Sequence, residues 1–219
     1  MIDHLRPALA PVVPAVADAF RLPRVCPGQG GVALTFDDGP HPEGTPAMLE
    51  ILAAEGARAT FFLVGEQVRR RPALAAEIVA AGHAVALHAD RHRLQLRLSA
   101  RELAEDLARG REAILTATGV EVTRHRPPYG IYSAGGLAAT RAAGLEPLLW
   151  SRWGRDWRKF TTPARITARA TRDIGAGDVI LLHDADFYSA RNSHRRTAAA
   201  LPAIMRALRQ RGLDTVLAV

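Results

Sequence analysis

Two adjacent aspartates follow a short apolar run in the sequence TFDDGP. The run Val32–Phe36 predicts a buried strand, and Asp37 and Asp38 come directly after it. Neighbouring carboxylates repel each other unless a cation compensates, and hard oxygen ligands suit a divalent metal ion. An aspartate can also simply cap the turn that Gly39 and Pro40 impose, so the pair indicates a metal site only in combination with other ligands.

A second pair of potential ligands lies in the sequence HADRH. His88 and His92 are spaced i, i+4, which would place two imidazoles on one side of a helical turn where they could share a metal ion. The alternative is one core histidine and one surface histidine. Ala89 stands where a zincin metalloprotease requires glutamate. Two histidines and one carboxylate would leave a coordination position open for water, as hydrolysis requires.

Two further motifs contain groups that hydrolysis can use. In RPPYG, Arg126 could hold a carboxylate by a bidentate contact, and the alternative is an ordinary proline-rich loop. In GDVILLHD, His183 is a candidate general acid, although a lone histidine at a strand end is more often structural. These interpretations depend on whether the fold brings the motifs together.

The elements that must position these groups alternate between short apolar runs and longer helix-like segments, which predicts a mainly parallel α/β sheet. The expected strands are Val32–Phe36, Thr60–Val64, Ala84–Leu87, Glu121–Arg126, Pro147–Trp150, Val179–Leu182 and, more weakly, Thr215–Ala218. Both a small barrel and an open doubly wound sheet suit this number of units. No glycine-rich dinucleotide fingerprint follows the first strand, which disfavours a nucleotide-binding sheet.

Helix boundaries are marked by capping signals. Ser99 and Glu102 form a capping box before a long helix, and Thr162 with Pro163 predicts another helix start. Gly144 is expected to stop an alanine-rich helix.

The polar residues of interest share one topological position, at or just beyond the C-terminal end of an apolar run. They are Asp37, Asp38, His88, Arg126, Asp156 and His183. In a parallel α/β barrel these strand ends converge on one face, where active sites are found.

Composition limits the classes of partner. The 219 residues, 48% of them hydrophobic, suit one domain, and the net charge of +7 is carried almost entirely by arginine. That charge predicts either a solvated surface or attraction to an anionic partner such as a wall polymer, a lipid phosphate or a nucleotide-linked sugar. Scattered arginines and 5% aromatic residues argue against nucleic acid. Cys26 is the single cysteine, so no internal disulfide can form.

The first part of the chain is expected to differ from the rest. Residues 1–30 predict an irregular leader that packs on a catalytic domain spanning residues 31–219. Asp3 and the leader's prolines fit a secretory signal poorly, and no apolar run approaches the roughly 20 residues of a transmembrane helix. We therefore expect a cytoplasmic protein, with peripheral membrane association through the leader as the alternative.

Taken together, the motifs resemble carbohydrate esterase family 4, the polysaccharide deacetylases that act on chitin, peptidoglycan and nodulation factors. The resemblance runs from about Val32 to the C-terminus, with all five motifs in the family's order. TFDDGP, HADRH and RPPYG are followed by RDW at Arg155–Trp157 and LLH at Leu181–His183. It implies a single-domain, deformed (β/α)7-8 barrel with mainly parallel strands.

The resemblance also implies a divalent metal, zinc above all, with cobalt and other divalent ions as alternatives. It assigns Asp38, His88 and His92 as metal ligands and Asp37 as general base. Arg126 would orient Asp37.

The remaining implied roles concern the acid and the substrate. Asp156 would tune His183, the general acid, and the backbone N–H of Tyr129 would help to hold the oxyanion. Trp157 and Leu181 would line a pocket for the acetyl methyl group. The chain departs from the family at Ala89, where a serine or threonine usually steadies the loop.

The segment Asp184–Thr197 follows the expected acid. Phe187 and Tyr188 could stack on a sugar, and its arginines could meet an anionic group, namely Arg191, Arg195 and Arg196. The alternative is a solvated loop before the last helix.

The function that follows is metal-dependent removal of an N-acetyl group from an amino sugar in a glycan, glycolipid or glycosylated metabolite, with release of acetate. One alternative keeps the barrel and metal but acts on a non-sugar amide, imide or ureide. Another is a catalytically silent carbohydrate-binding relative. The expected partner is an N-acetylated carbohydrate, and the sequence leaves protein partners unidentified.

Overall fold

Parallel strands form one curled sheet in the computed structural model, which describes residues 6–28 and 30–218. Expectations that fall on residues 1–5, 29 and 219 lie outside the described residues. The strands are β1 Val32–Asp37, β2 Thr60–Leu63, β3 Ala84–Leu87, β4 Arg124–His125, β5 Glu146–Pro147, β6 Arg152–Trp153, β7 Val179–His183 and β8 Thr215–Val216. Their order is β5-β4-β3-β2-β1-β7-β6, and β8 pairs with the start of β1.

Helices follow most of the strands and cover the outer face of the sheet. They are α1 Pro14–Ala19, α2 Gly44–Ala54, α3 Gly65–Arg70, α4 Pro72–Ala80, α5 Ala100–Thr118, α6 Ala134–Ala142, α7 Pro163–Ala170 and α8 Ser193–Arg209. The expected deformed barrel with parallel strands is confirmed. In the described part of the chain, no helix combines the length and the apolar character that crossing a bilayer demands.

The capping signals act as expected. The Ser99 hydroxyl accepts the backbone N–H of Glu102 while the Glu102 carboxylate accepts the N–H of Ser99, and α5 begins there. Thr162 accepts the N–H of Arg165 at the start of α7. Gly144 has φ +72°, the left-handed conformation that ends α6.

Side chains alternate between the two faces of each strand, and both faces are buried. In β1, Val32, Leu34 and Phe36 pack in the outer core under the helices. Thr35 and Asp37 point the other way, where they meet a guanidinium inside the barrel. Burial on both faces explains why the strands are continuous apolar runs rather than alternating ones.

The register of the sheet aligns the functional strand ends. Asp37, the last residue of β1, pairs with His183, the last residue of β7. The backbone N–H of His88 donates to Leu63 in β2, and that of Arg126 donates to Leu87 in β3. The polar residues at the C-terminal ends of these neighbouring strands therefore lie at the same height along the barrel axis.

The expected strand Pro147–Trp150 is wrong, because the chain changes partners within it. The N–H of Leu148 still donates to His125 in β4, but the N–H of Leu149 donates to Pro23 of the leader. β6 then begins two residues after Trp150 and pairs with β7. The apolar side chains of this stretch face the barrel interior, which made it look like a strand in sequence. The expected strand Glu121–Arg126 also shrinks to the two residues of β4.

The expectation of an irregular leader is also wrong, since it contains a 3-10 turn at Arg6–Leu9 and the helix α1. No pairing joins β5 to β6 among the described residues, and the leader covers this gap. Pro23 O accepts the N–H of Leu149 at 2.7 Å, and Arg24 Nε donates to Trp150 O at 2.9 Å. A six-residue helix is marginal by itself, so its stability comes from this packing rather than from a signal in its own sequence.

Candidate active site

A cavity of about 250 Å³ opens where the parallel strands end. Its lining includes Asp37, Asp38, His88, His92 and His183, which lie far apart in the sequence. The strand-end prediction is thus correct in placing these groups around a single pocket.

Asp38 and the two histidines of HADRH form a compact set of potential ligands. Asp38 Oδ1 lies 3.4 Å from His88 Nε2 and 3.3 Å from His92 Nε2. Burial by itself would raise the pKa of Asp38, but the two imidazoles hold that pKa below its ordinary value. Asp38 therefore stays a carboxylate in a site with almost no water contact.

The polar atoms of this set fit a bound cation. Asp38 Oδ1 is buried and has no hydrogen-bond partner within the described part of the chain, which is costly unless a cation approaches it. His88 Nδ1 lies 2.8 Å from the carbonyl oxygen of Arg126, so Nδ1–H donates there and Nε2, the nitrogen nearer Asp38, is the atom that could bind a cation. One carboxylate and two imidazoles are a donor set that divalent zinc accepts.

The helical turn expected for His88 and His92 is wrong, because HADRH is a loop. Ala89 has φ +72°, which breaks helical geometry directly after the first histidine. The loop is held by Asp90, whose N–H donates to Asp106 Oδ2 at 2.8 Å and whose carboxylate accepts from Arg69 at 2.6 Å. These contacts do not involve the side chain at position 89, and Ala89 is itself buried.

Asp37 is held from behind by a fully buried arginine. Arg126 Nη1 donates to Asp37 Oδ1 at 2.7 Å and to Thr35 Oγ1 at 2.9 Å. The expected bidentate contact is wrong, because the other guanidinium nitrogens donate to the carbonyl oxygens of Leu148 and Leu149. Arg126 is thus fully bonded inside the barrel and orients a single oxygen of Asp37.

His183 and Asp156 form the second proton-handling pair. His183 Nδ1 lies 2.9 Å from Asp156 Oδ1, and Asp156 Oδ2 accepts both the N–H of His183 and the hydroxyl of Thr197 at 2.7 Å. Burial lowers the pKa of His183, but the Asp156 carboxylate outweighs it and the pKa is raised to about 10. His183 is therefore protonated at neutral pH and presents Nε2–H to the pocket.

Replacing Asp156 with asparagine is expected to move the alkaline limb of the kcat/KM profile to lower pH. The raised pKa keeps His183 protonated, and so able to act as the general acid, until the pH passes that pKa. Removing the Asp156 charge lowers the His183 pKa, so activity is lost at a lower pH. A pH–rate profile of the variant beside wild type measures the shift. Thr197→Val, which removes only the neutral partner of Asp156, should move the limb much less. An unchanged alkaline limb in Asp156→Asn would contradict the assignment of His183.

Tyr129 lines the pocket and has a left-handed backbone conformation. The residue has φ +61° within the 3-10 turn Pro128–Gly130, and its ring makes an edge contact with His92 at 4.6 Å between centroids. Gly130 is required here, because a Cβ at this position would lie 2.3 Å from the ring of Trp150.

Aromatic side chains form the remaining wall of the cavity. Trp157 packs edge-on against His183 with centroids 5.5 Å apart, and Leu181 lies beside it in the lining. Trp150 and Trp153 also line the pocket and were missed from the sequence. The signal was present, because all three tryptophans of the chain fall between positions 150 and 157.

Of the two aromatic residues expected to contact substrate, Phe187 and Tyr188, one lines the pocket and the other does not. Tyr188 lines the pocket and stacks on His92, with centroids 4.0 Å apart. Its hydroxyl donates to Glu66 at 2.8 Å. Phe187 does not line the pocket; it packs on His41 at 4.8 Å and lies under the guanidinium of Arg71.

Asp184, next to His183, is buried behind the site. Its Oδ2 accepts the hydrogen bond of the Thr45 hydroxyl, whereas Oδ1 has no hydrogen-bond partner in residues 6–28 and 30–218. Burial raises the pKa of Asp184 to about 7, the Thr45 hydrogen bond opposes this, and the nearby charge of Asp38 adds to it.

Asp184→Asn is expected to flatten the pH dependence of stability in the metal-free protein. Between the carboxyl pKa of the unfolded chain, about 4, and that of the folded protein, about 7, Asp184 is protonated in the folded state and ionised in the unfolded state. The free energy of unfolding therefore falls as the pH rises through this range. The neutral amide removes this slope and should raise the melting temperature at pH 8 by a few degrees, corresponding to about 1 kcal/mol. Thermal unfolding at pH 5 and pH 8 measures it. Equal slopes in both proteins would contradict the buried, raised pKa.

A second cluster of potential ligands lies nearby, at His41, Asp186 and His194, with ligand atoms within 4.8 Å of one another. His41 Nδ1 accepts the N–H of Gly44 at 2.9 Å, so its ring proton sits on Nε2, the atom facing Asp186 at 3.2 Å. A metal ligand needs that lone pair free. The cluster is therefore suited to anchoring the loop after His183 and poorly suited to a metal.

The fold is an α/β barrel, and the first donor set is a candidate metal site within it. Residues 24–148 match the family described as polysaccharide deacetylase. The chain belongs to this family.

Curated relatives extend over most of the chain. It is 36% identical to a chitooligosaccharide deacetylase of Sinorhizobium fredii, across 87% of this chain and 91% of the relative. It is 32% identical to a peptidoglycan-N-acetylglucosamine deacetylase of Bacillus cereus, across 83% of each.

Solved structures agree. A family 4 carbohydrate esterase from Streptomyces lividans in complex with acetate aligns with a TM-score of 0.78 and 32% identity, covering 87% of this chain and 94% of that one. A family 4 pseudoenzyme from Bacillus anthracis aligns with a TM-score of 0.76 and 28% identity, covering 86% of this chain and 64% of that one. Because the family includes a pseudoenzyme, activity must be argued from the site itself.

Proposed function

We propose that this protein hydrolyses the N-acetyl group of an amino sugar in a glycan and releases acetate. The observation that carries the proposal is the complete convergence of a carboxylate held by Arg126, a buried Asp–His–His set and a His–Asp pair on one pocket. The relatives named for deacetylation of chitooligosaccharide and peptidoglycan support the substrate class.

The proposed metal is zinc, held by Asp38, His88 and His92. When bound, the cation supplies Lewis-acid polarisation of the amide carbonyl and of the attacking water. Asp37 accepts the proton of that water. Arg126 holds Oδ1 of Asp37 in place and leaves the opposite oxygen, Oδ2, available to accept that proton.

The other side of the pocket handles the leaving group and the acyl group. His183 donates the proton that turns the departing nitrogen into an amine, since an amide anion cannot leave at neutral pH. The N–H of Tyr129 is proposed to donate to the oxyanion, where one donor is typically worth about 10²–10³-fold in rate. Leu181 and Trp157 form the apolar wall against which the acetyl methyl group would pack.

The proposal is tested with a substrate panel. Zinc-loaded protein is incubated with N-acetylglucosamine oligomers, a simple N-acetyl amine and a cyclic imide, and the products are followed by mass spectrometry. Acetate and free amine are expected from the oligomers, and Asp37→Asn should release neither. Hydrolysis confined to the imide would replace the sugar substrate with the alternative amide class. No hydrolysis of any acyl compound would identify a silent relative.

A further inference from the structure

A second hollow, of about 290 Å³, is lined from Arg158 onward, the residue that follows Trp157 of the pocket wall. We define the cationic recess by its lining, Arg158, Lys159, Phe160, Thr161, Arg165 and Arg169. It begins directly after Trp157 in the chain and ends on α7. Phe160 is 82% exposed, and Lys159 Nζ lies 5.4 Å from the centre of its ring. The exposed ring therefore offers an apolar face directly beside a cation.

The cations of the recess lack carboxylate partners among the residues that the structure describes. Residues 155–172 hold six cationic side chains and a single acid, Asp156, which is buried against His183. Among the residues that the structure describes, no carboxylate oxygen lies within 4.0 Å of Arg158, Lys159 or Arg165. Some other exposed arginines of the protein do have carboxylate partners.

Two examples show that contrast. Arg101 lies 2.6 Å from Glu105 on α5, and Arg195 lies 2.7 Å from Glu43. Both of these arginines are neutralised locally, whereas Arg158 and Arg165 of the cationic recess are not.

The cations of the recess also crowd one another. Arg165 and Arg169 are one turn apart on α7, a like-charge pair that destabilises a helix. The pKa of Arg155 is lowered by burial and further by Arg158 and Arg169, which places these guanidinium groups near each other. A bound anion would relieve this repulsion.

The recess continues the wall of the pocket. Arg155 lies 4.4 Å over the ring of Trp153, and Trp153 and Trp157 both line the cavity. From α8, Arg196 Nη2 donates to the carbonyl oxygen of Arg158 at 3.2 Å and holds the segment in place. A substrate whose acetylated sugar occupies the pocket can therefore extend past Trp157 onto the recess.

We propose that the recess binds a phosphate group of the substrate, close to the acetylated sugar. The inference rests on the proposed deacetylase function and narrows its substrate to phosphate-bearing amino sugars. Guanidinium groups favour phosphate because their N–H groups match its oxygens in pairs. Phe160 supplies an apolar face for the group beyond the phosphate. A glycan phosphate, a nucleotide-linked sugar and a lipid-linked sugar share this chemistry.

The test compares two soluble substrates, N,N′-diacetylchitobiose and its 1-phosphate, by their kcat/KM ratio. Wild-type zinc-loaded protein is expected to prefer the phosphate by about tenfold at low salt, and 0.5 M NaCl should remove most of that preference. In the double variant Arg158→Gln/Arg165→Gln the ratio should fall close to one. Arg206→Gln/Arg211→Gln removes the same charge from the last turn of α8 and the turn that follows it, and should retain the preference. Circular dichroism and melting temperature check that both variants are folded.

The outcomes separate the two proposals. Acetate release from both substrates at equal kcat/KM in wild type would overturn the phosphate inference and leave the deacetylase function standing. No release from either substrate would overturn the function. A preference that survives in Arg158→Gln/Arg165→Gln would show that the recess is not the phosphate site.

Two further arms identify the source of the phosphate. A nucleoside diphosphate-linked N-acetylglucosamine tests a nucleotide, and a lipid-linked N-acetylglucosamine phosphate in neutral vesicles tests a lipid. A preference for either that is lost in the double variant supports the proposal. Binding to phosphatidylglycerol vesicles that is lost in the double variant, with the soluble preference unchanged, would make the recess a membrane contact and overturn it.

Discussion

Asp38→Asn is expected to lose both metal and activity. Removing a partner of a metal ligand typically costs about 10–100-fold in metal affinity, so removing a ligand itself should cost at least that much. Loss of the cation's Lewis-acid contribution, worth several kcal/mol, should lower kcat/KM by about 10³-fold or more. Zinc content after dialysis and acetate release from N-acetylglucosamine oligomers measure the two effects.

Asp186→Asn is the matched control, because Asp186 belongs to the second His–Asp cluster. It should keep its zinc and most of its activity, since the Nε2 proton of His41 occupies the position a metal would need. Loss of zinc in Asp186→Asn with retention in Asp38→Asn would move the metal site to the other cluster.

Asp37→Asn is expected to lower kcat by about 10²–10⁴-fold while zinc content stays that of wild type. The amide keeps an oxygen for the Arg126 hydrogen bond but cannot accept the proton of water. Metal retention is expected because the potential ligand set consists of Asp38, His88 and His92. Steady-state kinetics and metal analysis of one preparation give both quantities.

Thr35→Val provides a control for Asp37→Asn within the same hydrogen-bond network. It removes the Thr35 contact to Arg126 and leaves the Asp37–Arg126 contact intact, so kcat should fall by less than about tenfold. An active Asp37→Asn would contradict its role as base. A zinc-free Asp37→Asn would instead make Asp37 a metal ligand.

The site was predictable because its members occupy strand ends. A parallel barrel brings such ends together regardless of the sequence of the helices that connect them. Asp37 and His183 could therefore be placed in one site before the register of their strands was known. Capping rules placed α5 and α7 because Ser99 and Thr162 act through local hydrogen bonds.

The errors occurred where distant contacts outweigh local pattern. The spacing of His88 and His92 suggested a helix, but the positive φ of Ala89 follows from the contacts of the loop with α3 and α5. The stretch Pro147–Trp150 resembles a strand, although its hydrogen bonds are divided between β4 and the leader.

Substrate-facing residues were harder to assign than catalytic ones. Phe187 and Tyr188 are adjacent, yet one packs on His41 and the other lines the pocket, and composition cannot distinguish them. Arg126 was correctly singled out, but its single contact to Asp37 depends on the two carbonyl oxygens that approach where β4 and β5 end.

Acetate release by chelated and zinc-restored protein tests the central claim most directly. The protein is stripped with EDTA, divided, and assayed on N-acetylglucosamine oligomers with and without added zinc. We expect no release from the stripped portion, and with zinc one acetate for each free amine formed. Equal release from both portions would contradict a metal-dependent deacetylase, and so would no release from either when intact protein is equally inactive.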